Sequence, residues 1–361
     1  MTSVASHFSS SYAEAREKFL AAADAAGARV LASPVNPNRG PDGGELATDV
    51  VRIGPDDARR LLVLVSSTHG IEGYCGSGCQ VGRRRARNAA AVLIHAINPF
   101  GFAWGRRVTE ENVDLNRNFV DYGVPLPANP DYEALASHIN PRDWNPSALA
   151  AADAAIARYY GRPNADFLPR AIHAGQYVND KGTYFGGFAP TWARGTFEAI
   201  AREHFVGAER LCLIDYHTGL GPLGHGDLIF GPPEQAGRAR DWFDHVSPTL
   251  EDIEAARRLA GGHTAGAIPG ALSKWLYTAL PDTELTVGAI EYGTHDVNAV
   301  LRAIRADNWL WCHGERDSAP GRAIRAELRE MFYPAEPAWK VMVFSRSNDV
   351  IRQALLGLAA P

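Results

Sequence analysis

Short apolar runs alternate along the chain with stretches in which apolar residues recur at helical spacing. Leu61–Val65 and Ala89–Ile97 are near-continuous apolar runs of strand length, the pattern of strands buried on both faces. Leu211–Tyr216 reads the same way, Glu284–Ile290 alternates enough to be a strand, and further strands are expected at Leu46–Ile53 and Asp227–Phe230. Apolar residues three and four apart predict helices over residues 10–27, Ala148–Tyr160, Thr191–Gly207, Glu234–Val246, Val297–Asn308, Arg322–Phe332 and Trp339–Leu356. Another, short helix follows Gly70, Gly73, Gly76 and Gly78 and runs into Arg83–Arg85. Pro34–Gly44 is dense in turn residues, and residues 122–146 and 218–235 read as long loops. Strands alternating with helices, with no internal repeat and no linker-like segment, predict a three-layer α/β/α sandwich on a mixed, mainly parallel sheet. The expected organisation is a single domain over residues 1–361.

Composition narrows the classes of function. Hydrophobic residues make up 46% and charged residues 21% of the 361, enough apolar side chain for a large core. A net charge of −5 argues against a nucleic-acid or anionic-membrane surface. Arg83–Arg85 alone would suggest otherwise, but a basic helix end facing solvent accounts for it. No run approaches the ~18 apolar residues of a membrane span, and the N-terminus lacks the pattern of a signal peptide. Cys75, Cys79, Cys212 and Cys312 form no disulfide or zinc framework. Reduced thiols and a cytoplasmic location are the expectation.

The ionisable residues that follow the apolar runs carry the candidate chemistry. His69-Gly-Ile-Glu72 comes directly after the first buried run, and His217 ends the run Leu213-Ile-Asp-Tyr. Two histidines and a carboxylate with a fourth position left open are a common catalytic zinc set. Asp215, two residues before His217, is a candidate to orient it. Glu291 follows Ala-Ile, a costly place for a carboxylate without a partner or a task; it reads either as a general base or as half of a salt bridge. The segment Arg106–Phe119 offers planar guanidinium donors and amides suited to a carboxylate, or else a loop held by Asn and Asp turn chemistry. His225, His263 and His295 are weaker candidates for the pocket. Cys212 lies in an apolar run and reads as a core thiol rather than a nucleophile.

His69-x-x-Glu72, Asn98-Pro99, Asp114-Leu115-Asn116-Arg117-Asn118-Phe119, a strand-end His217 and a strand-end Glu291 occur in the order found in zinc carboxypeptidases. The chain resembles that superfamily, which includes the succinylglutamate desuccinylase and aspartoacylase branch, and looks most like a bacterial branch catalogued as a domain of unknown function. The resemblance implies a zinc-peptidase-like fold with one zinc ion held by His69, Glu72 and His217. It further implies Glu291 as general base and then acid, and Arg107, with Arg106 as the fallback, polarising the scissile carbonyl. Asn116 and Arg117 would hold a substrate carboxylate. Two features depart from the carboxypeptidase pattern: Thr218-Gly219 stands where Ser-Tyr is usual, and the substrate-capping tyrosine has no clear equivalent. Tyr277 is the candidate for that role, against a reading as a core aromatic beside Trp275. The expected activity is hydrolysis of an amide next to a carboxylate, in a small peptide or in an N-acyl amino acid. A metal-free binding protein that has kept the shell of such a site is the reading of a different class.

Overall fold

The computed structural model describes residues 3–81, 89–159, 174–231, 233–246 and 268–360. Arg83–Arg85 and His263 lie outside these residues.

Seven strands form the central sheet in the order β1-β4-β6-β5-β7-β9-β8. β6 (Ala90–His95), β5 (Arg60–Val65), β7 (Arg210–Thr218) and β9 (Glu284–Tyr292) run parallel at its centre. β4 (Asp49–Ile53) and β1 (Arg29–Ala32) continue it antiparallel on one side, and β8 (Gly226–Phe230) closes the other. The remaining strands, β2 (Val35–Arg39) and β3 (Glu45–Ala47), pair only with each other.

The apolar runs are continuous because both sheet faces are covered, and the pleat divides them between two cores. Leu62 and Leu64 of β5, Ala91 and Leu93 of β6, and Cys212, Ile214 and Tyr216 of β7 share one core. Into it pack α1 (Tyr12–Ala25), α2 (Gly73–Val81), α10 (Ala319–Phe332) and α11 (Pro337–Ala359) through residues such as Phe19, Cys75, Phe332 and Val350. Leu61, Val63, Val65, Val92, Leu213 and Val287 face the opposite core, with Phe197 of α6 (Trp192–His204) and Leu276 of α8 (Leu272–Ala279). These are the two helical layers of the predicted sandwich. Between α2 and α6 come α3 (Pro99–Trp104), α4 (Pro130–Ile139) and α5 (Pro146–Tyr159); α7 (Pro233–Trp242) precedes α8, and α9 (Val297–His313) follows β9.

The expected loop over residues 122–146 is broken by α4. Pro130 opens that helix rather than ending a segment, and the Asn129 side chain accepts from Tyr132 N, 3.1 Å away. Asn98-Pro99 starts α3 in the same way, with Asn98 Oδ1 accepting from Gly101 N at 2.9 Å. The strand expected at Asp227–Phe230, within the loop region 218–235, is β8. The strand expected over Leu46–Ile53 is divided at Thr48 between β3 and β4, which lie in different sheets. Among the described residues, no helix is long and apolar enough to cross a membrane.

Candidate metal centre

The register of the central strands gathers the site at one sheet edge. Val65, at the end of β5, is paired with Asp215 of β7, and His217 of β7 with Glu291 of β9. Beyond Val65 the chain leaves the sheet through Ser67, whose φ is +67°, and reaches His69. Ser67 holds this bend by donating its hydroxyl to Gly70 O and Asn98 O, both at 3.2 Å. Gly70 then crosses Gly101 so closely that a Cβ would stand 2.2 Å from the Gly101 carbonyl carbon. That crossing allows the single turn Gly70–Glu72 that brings Glu72 back beside His69.

Three donor atoms converge there. Nδ1 of His69 and Nδ1 of His217 lie 3.2 Å apart, and each lies 3.0 Å from a Glu72 carboxylate oxygen. All three side chains are buried, and their ligand atoms fall within 4.8 Å of one another. The outward nitrogens meet carboxylates: His217 Nε2 is 2.8 Å from Asp215 Oδ2, and His69 Nε2 is 3.2 Å from Asp114 Oδ1. Asp215 is itself fixed by the Thr68 hydroxyl at 2.8 Å. The Asp215 carboxylate behind His217 favours the tautomer that turns its Nδ1 lone pair inward, whereas His69 Nε2 faces both Asp114 and, at 2.8 Å, the guanidinium of Arg107. Two imidazole nitrogens and a carboxylate at these distances call for a shared cation, a proton in the metal-free protein or a metal ion in its place. The donor set therefore fits a divalent metal of the zinc type.

Arg107 is the cation that faces this cluster. It donates from Nη1 to Glu72 Oε1 at 2.9 Å and from Nε to Asp114 Oδ2 at 3.3 Å, and its Nη2 stands 2.8 Å from His69 Nε2. Arg106, the fallback in the sequence, is buried elsewhere, paired with Asp307 at 2.9 Å and lying over the Trp311 ring. Burial would raise the proton affinity of Glu72, but the charges and hydrogen bonds of His69 and His217 outweigh it and hold the carboxyl well below its usual range. For Asp114 burial is outweighed by Arg117 and Arg107. Burial would lower the pKa of His217, but Asp215 and Glu72 raise it well above the ordinary value. Glu291 goes the other way: burial first, then the negative charge of Glu72, push it up to about 8. Its Oε1 accepts from Leu220 N at 3.2 Å.

The cluster forms one wall of a cavity of about 510 Å³, which Arg107, Asn116, Arg117, Tyr277 and Glu291 also line. Away from the cluster the lining is mainly apolar, with Leu213, Ile229, Leu272, Val287, Val300 and Phe332, and it includes Ser273 and Lys274. All eight residues assigned from the sequence thus border one space, and the three assigned to substrate binding are each held by the protein itself. Asn116 Oδ1 accepts from Leu272 N at 3.1 Å, Arg117 is ion-paired with Asp114 at 3.4 Å, and the Tyr277 hydroxyl donates to Gly231 O at 3.0 Å. His225 and His295 pair instead with Asp227 and Glu330. Cys212 is fully buried in the sheet, and burial raises its thiol, as expected of a core residue. Asp114 had no assigned role in the sequence, although it stands in the quoted motif; Tyr184 gave no signal there at all.

Residues 8–346 match the model of a family described as a protein of unknown function, DUF2817. The chain belongs to that family. No curated protein gives a significant match. Among solved structures, the chain is similar to a murein-tripeptide amidase of Escherichia coli O157, at 14% identity over 81% of this chain and 93% of that one, with a TM-score of 0.35. It is also similar to a carboxypeptidase A of Helicoverpa armigera, at 13% identity over 91% and 75%, TM-score 0.42. A third is the ectoine utilization protein EutE of Ruegeria pomeroyi, at 12% identity over 80% and 67%, TM-score 0.34. Similarity this low says nothing about the chemistry of members of DUF2817, which rests on the geometry above.

Proposed function

We propose that this member of DUF2817 is a zinc-dependent hydrolase that cleaves an amide bond next to a carboxylate, in a small peptide or an N-acyl amino acid. The observation that carries the reading is the convergence of His69, Glu72 and His217, each imidazole backed by its own carboxylate. Those three residues would hold the ion. Zinc in such a site supplies Lewis acidity toward a carbonyl and an acidified water.

The protein's own groups would do the rest. Glu291, partnered with His217 across the sheet, takes a proton from the attacking water as its oxygen adds to the carbonyl carbon. The same carboxyl passes that proton to the leaving nitrogen as the C–N bond breaks, leaving a carboxylic acid and an amine. Arg107 presents its donors to the oxygen that becomes negative. The same guanidinium holds Glu72 at 2.9 Å, which keeps it beside the residues that would bind the ion. Asn116 and Arg117 border the place for the substrate carboxylate. The apolar walls around Leu213, Ile229 and Val287 favour a substrate with an apolar side chain or acyl group over an acidic one.

Metal analysis of the purified protein tests the centre, and a panel of apolar dipeptides, their C-terminal amides and N-acyl amino acids tests the reaction. One zinc per chain and cleavage of free-carboxylate substrates are expected. Cleavage of only the N-acyl amino acids would replace the peptidase form with a deacylase. Zinc well below one per chain, with no activity after zinc is added, would sink the proposal.

A further inference from the structure

Tyr184 lines the cavity in a backbone conformation that a bulky residue rarely adopts, with φ at +54°. Its neighbours impose that conformation. Gln176 N donates to Tyr184 O at 3.1 Å, Gly186 N to Gln176 O at 2.8 Å, and Asp114 N to Phe185 O at 2.8 Å. On the other side, Thr183 O accepts from the Tyr132 hydroxyl at 2.9 Å. Strain that the surroundings enforce at a pocket wall points from structure to function. The ring lies against two cations, with the Arg107 and Arg117 guanidinium carbons 5.4 and 5.5 Å from its centroid. Packing alone would explain the ring but not its hydroxyl. Tyr12, Tyr132, Tyr177 and Tyr277 each donate their hydroxyl to a backbone carbonyl. The Tyr184 hydroxyl has no hydrogen-bond partner among the described residues, and it is not among the sealed polar atoms that lack one. A donor without such a partner, on a ring that lines the cavity and lies against two guanidinium groups, suits an anionic oxygen of a ligand.

Resting on the hydrolase reading, we infer that Tyr184 is a catalytic residue whose hydroxyl donates a hydrogen bond, beside Arg107, to the substrate oxygen that becomes negative. The test compares wild type, Tyr184→Phe and Tyr184→Leu, all zinc-loaded, in two measurements. One is calorimetric titration with a phosphinic dipeptide analogue, which carries a tetrahedral anion; the other is kcat and KM on the best peptide of the panel. Tyr184→Phe keeps the ring, its cation contacts and the strained backbone, and loses only the donor. It is expected to hold zinc as the wild type does, to bind the analogue about 10-fold or more weakly, and to lose about 100-fold in kcat with KM within about 3-fold. Tyr184→Leu, which also loses the ring, is expected to fall further. If Tyr184→Phe matches the wild type in both measurements, or if the zinc-loaded wild type does not bind the analogue, the tyrosine assignment fails while the metal centre stands. A wild type that holds no zinc overturns both readings.

Discussion

Glu291→Gln should stabilise the metal-free protein while abolishing its activity, and the size of the gain should depend on pH in a direction the structure dictates. The folded-state pKa of Glu291 is raised to about 8 from an ordinary 4.5, by burial first and by the negative charge of Glu72 second. For an acid shifted upward, the favourable contribution is complete below pH 4.5 and is lost as pH rises through 8, because the fold keeps a proton that the unfolded chain gives up. A difference of 8 − 4.5 = 3.5 units sets a ceiling of about 5 kcal/mol at ~1.4 kcal/mol per unit. Glu291 is only partly buried and opens on the cavity, so its charged form is partly solvated, and roughly 1–3 kcal/mol is the expected loss. Glutamine keeps the acceptor for Leu220 N, 3.2 Å away, and cannot ionise.

The assay is chemical denaturation of both proteins in the presence of a chelator, at pH 5, 6, 7 and 8. Near pH 5 the two should differ by under about 1 kcal/mol, with the variant gaining to roughly 1–3 kcal/mol over wild type at pH 8. Zinc should narrow the gap, because a dication beside Glu72 offsets the charge that raises Glu291. Hydrolysis should fall about 10²- to 10⁴-fold with the proposed general base gone. A stability difference that stays constant with pH, or a wild type that is the more stable at pH 8, would show that Glu291 does not carry this strain.

Three other outcomes follow from the same geometry. Asp215→Asn removes the charged partner of His217 Nε2, 2.8 Å away, and should weaken zinc binding about 10- to 100-fold in competition with a chromophoric chelator while the fold is kept; unchanged affinity would contradict the orienting role. Gly70→Ala drives a methyl into the Gly101 backbone, so zinc content and thermal stability should fall together, whereas a variant that binds zinc normally would show that the crossing at 2.2 Å relaxes freely. His95 is fully buried and stacked on Phe19, and burial lowers its pKa from 6.5 to about 4. Its contribution is therefore complete above pH 6.5 and is lost as pH falls toward 4, since only the unfolded chain takes up the proton in that window. The shift of 6.5 − 4 = 2.5 units corresponds to about 3 kcal/mol, and His95→Leu should flatten the acid side of the stability profile by that order; parallel profiles would refute it.

What the sequence revealed follows from which constraints act locally. A strand buried on both faces must be apolar throughout, so Leu61–Val65 and the run before His217 were visible, and the polar residue ending each run stood out. Helix starts were harder to see. Pro130 and Pro99 look like breakers until the asparagine before each is recognised as a cap, and only then does the proline fit a first helical turn. Arg106 and Arg107 are adjacent, and spacing cannot tell which one turns toward the metal ligands. That choice is made by Asp307 and Trp311, about two hundred residues away in sequence, which capture Arg106. Tyr184 was invisible because its positive φ arises from Gln176, Asp114 and Tyr132 acting together on the backbone around it.

The charges explain why the site is built from parts that would otherwise conflict. Glu72, Asp114 and Asp215 are all buried, and each would be costly to ionise alone. Two arginines and the raised proton affinity of His217 supply positive charge in the metal-free state. His69, Glu72 and His217 would hold a zinc ion with His217 deprotonated, so zinc and protons would compete for the site. Arg107 also lines the cavity, its guanidinium carbon 5.4 Å from the centroid of the Tyr184 ring. The would-be metal ligands and the proposed oxyanion donors are thus tied through Glu72, which Arg107 holds at 2.9 Å.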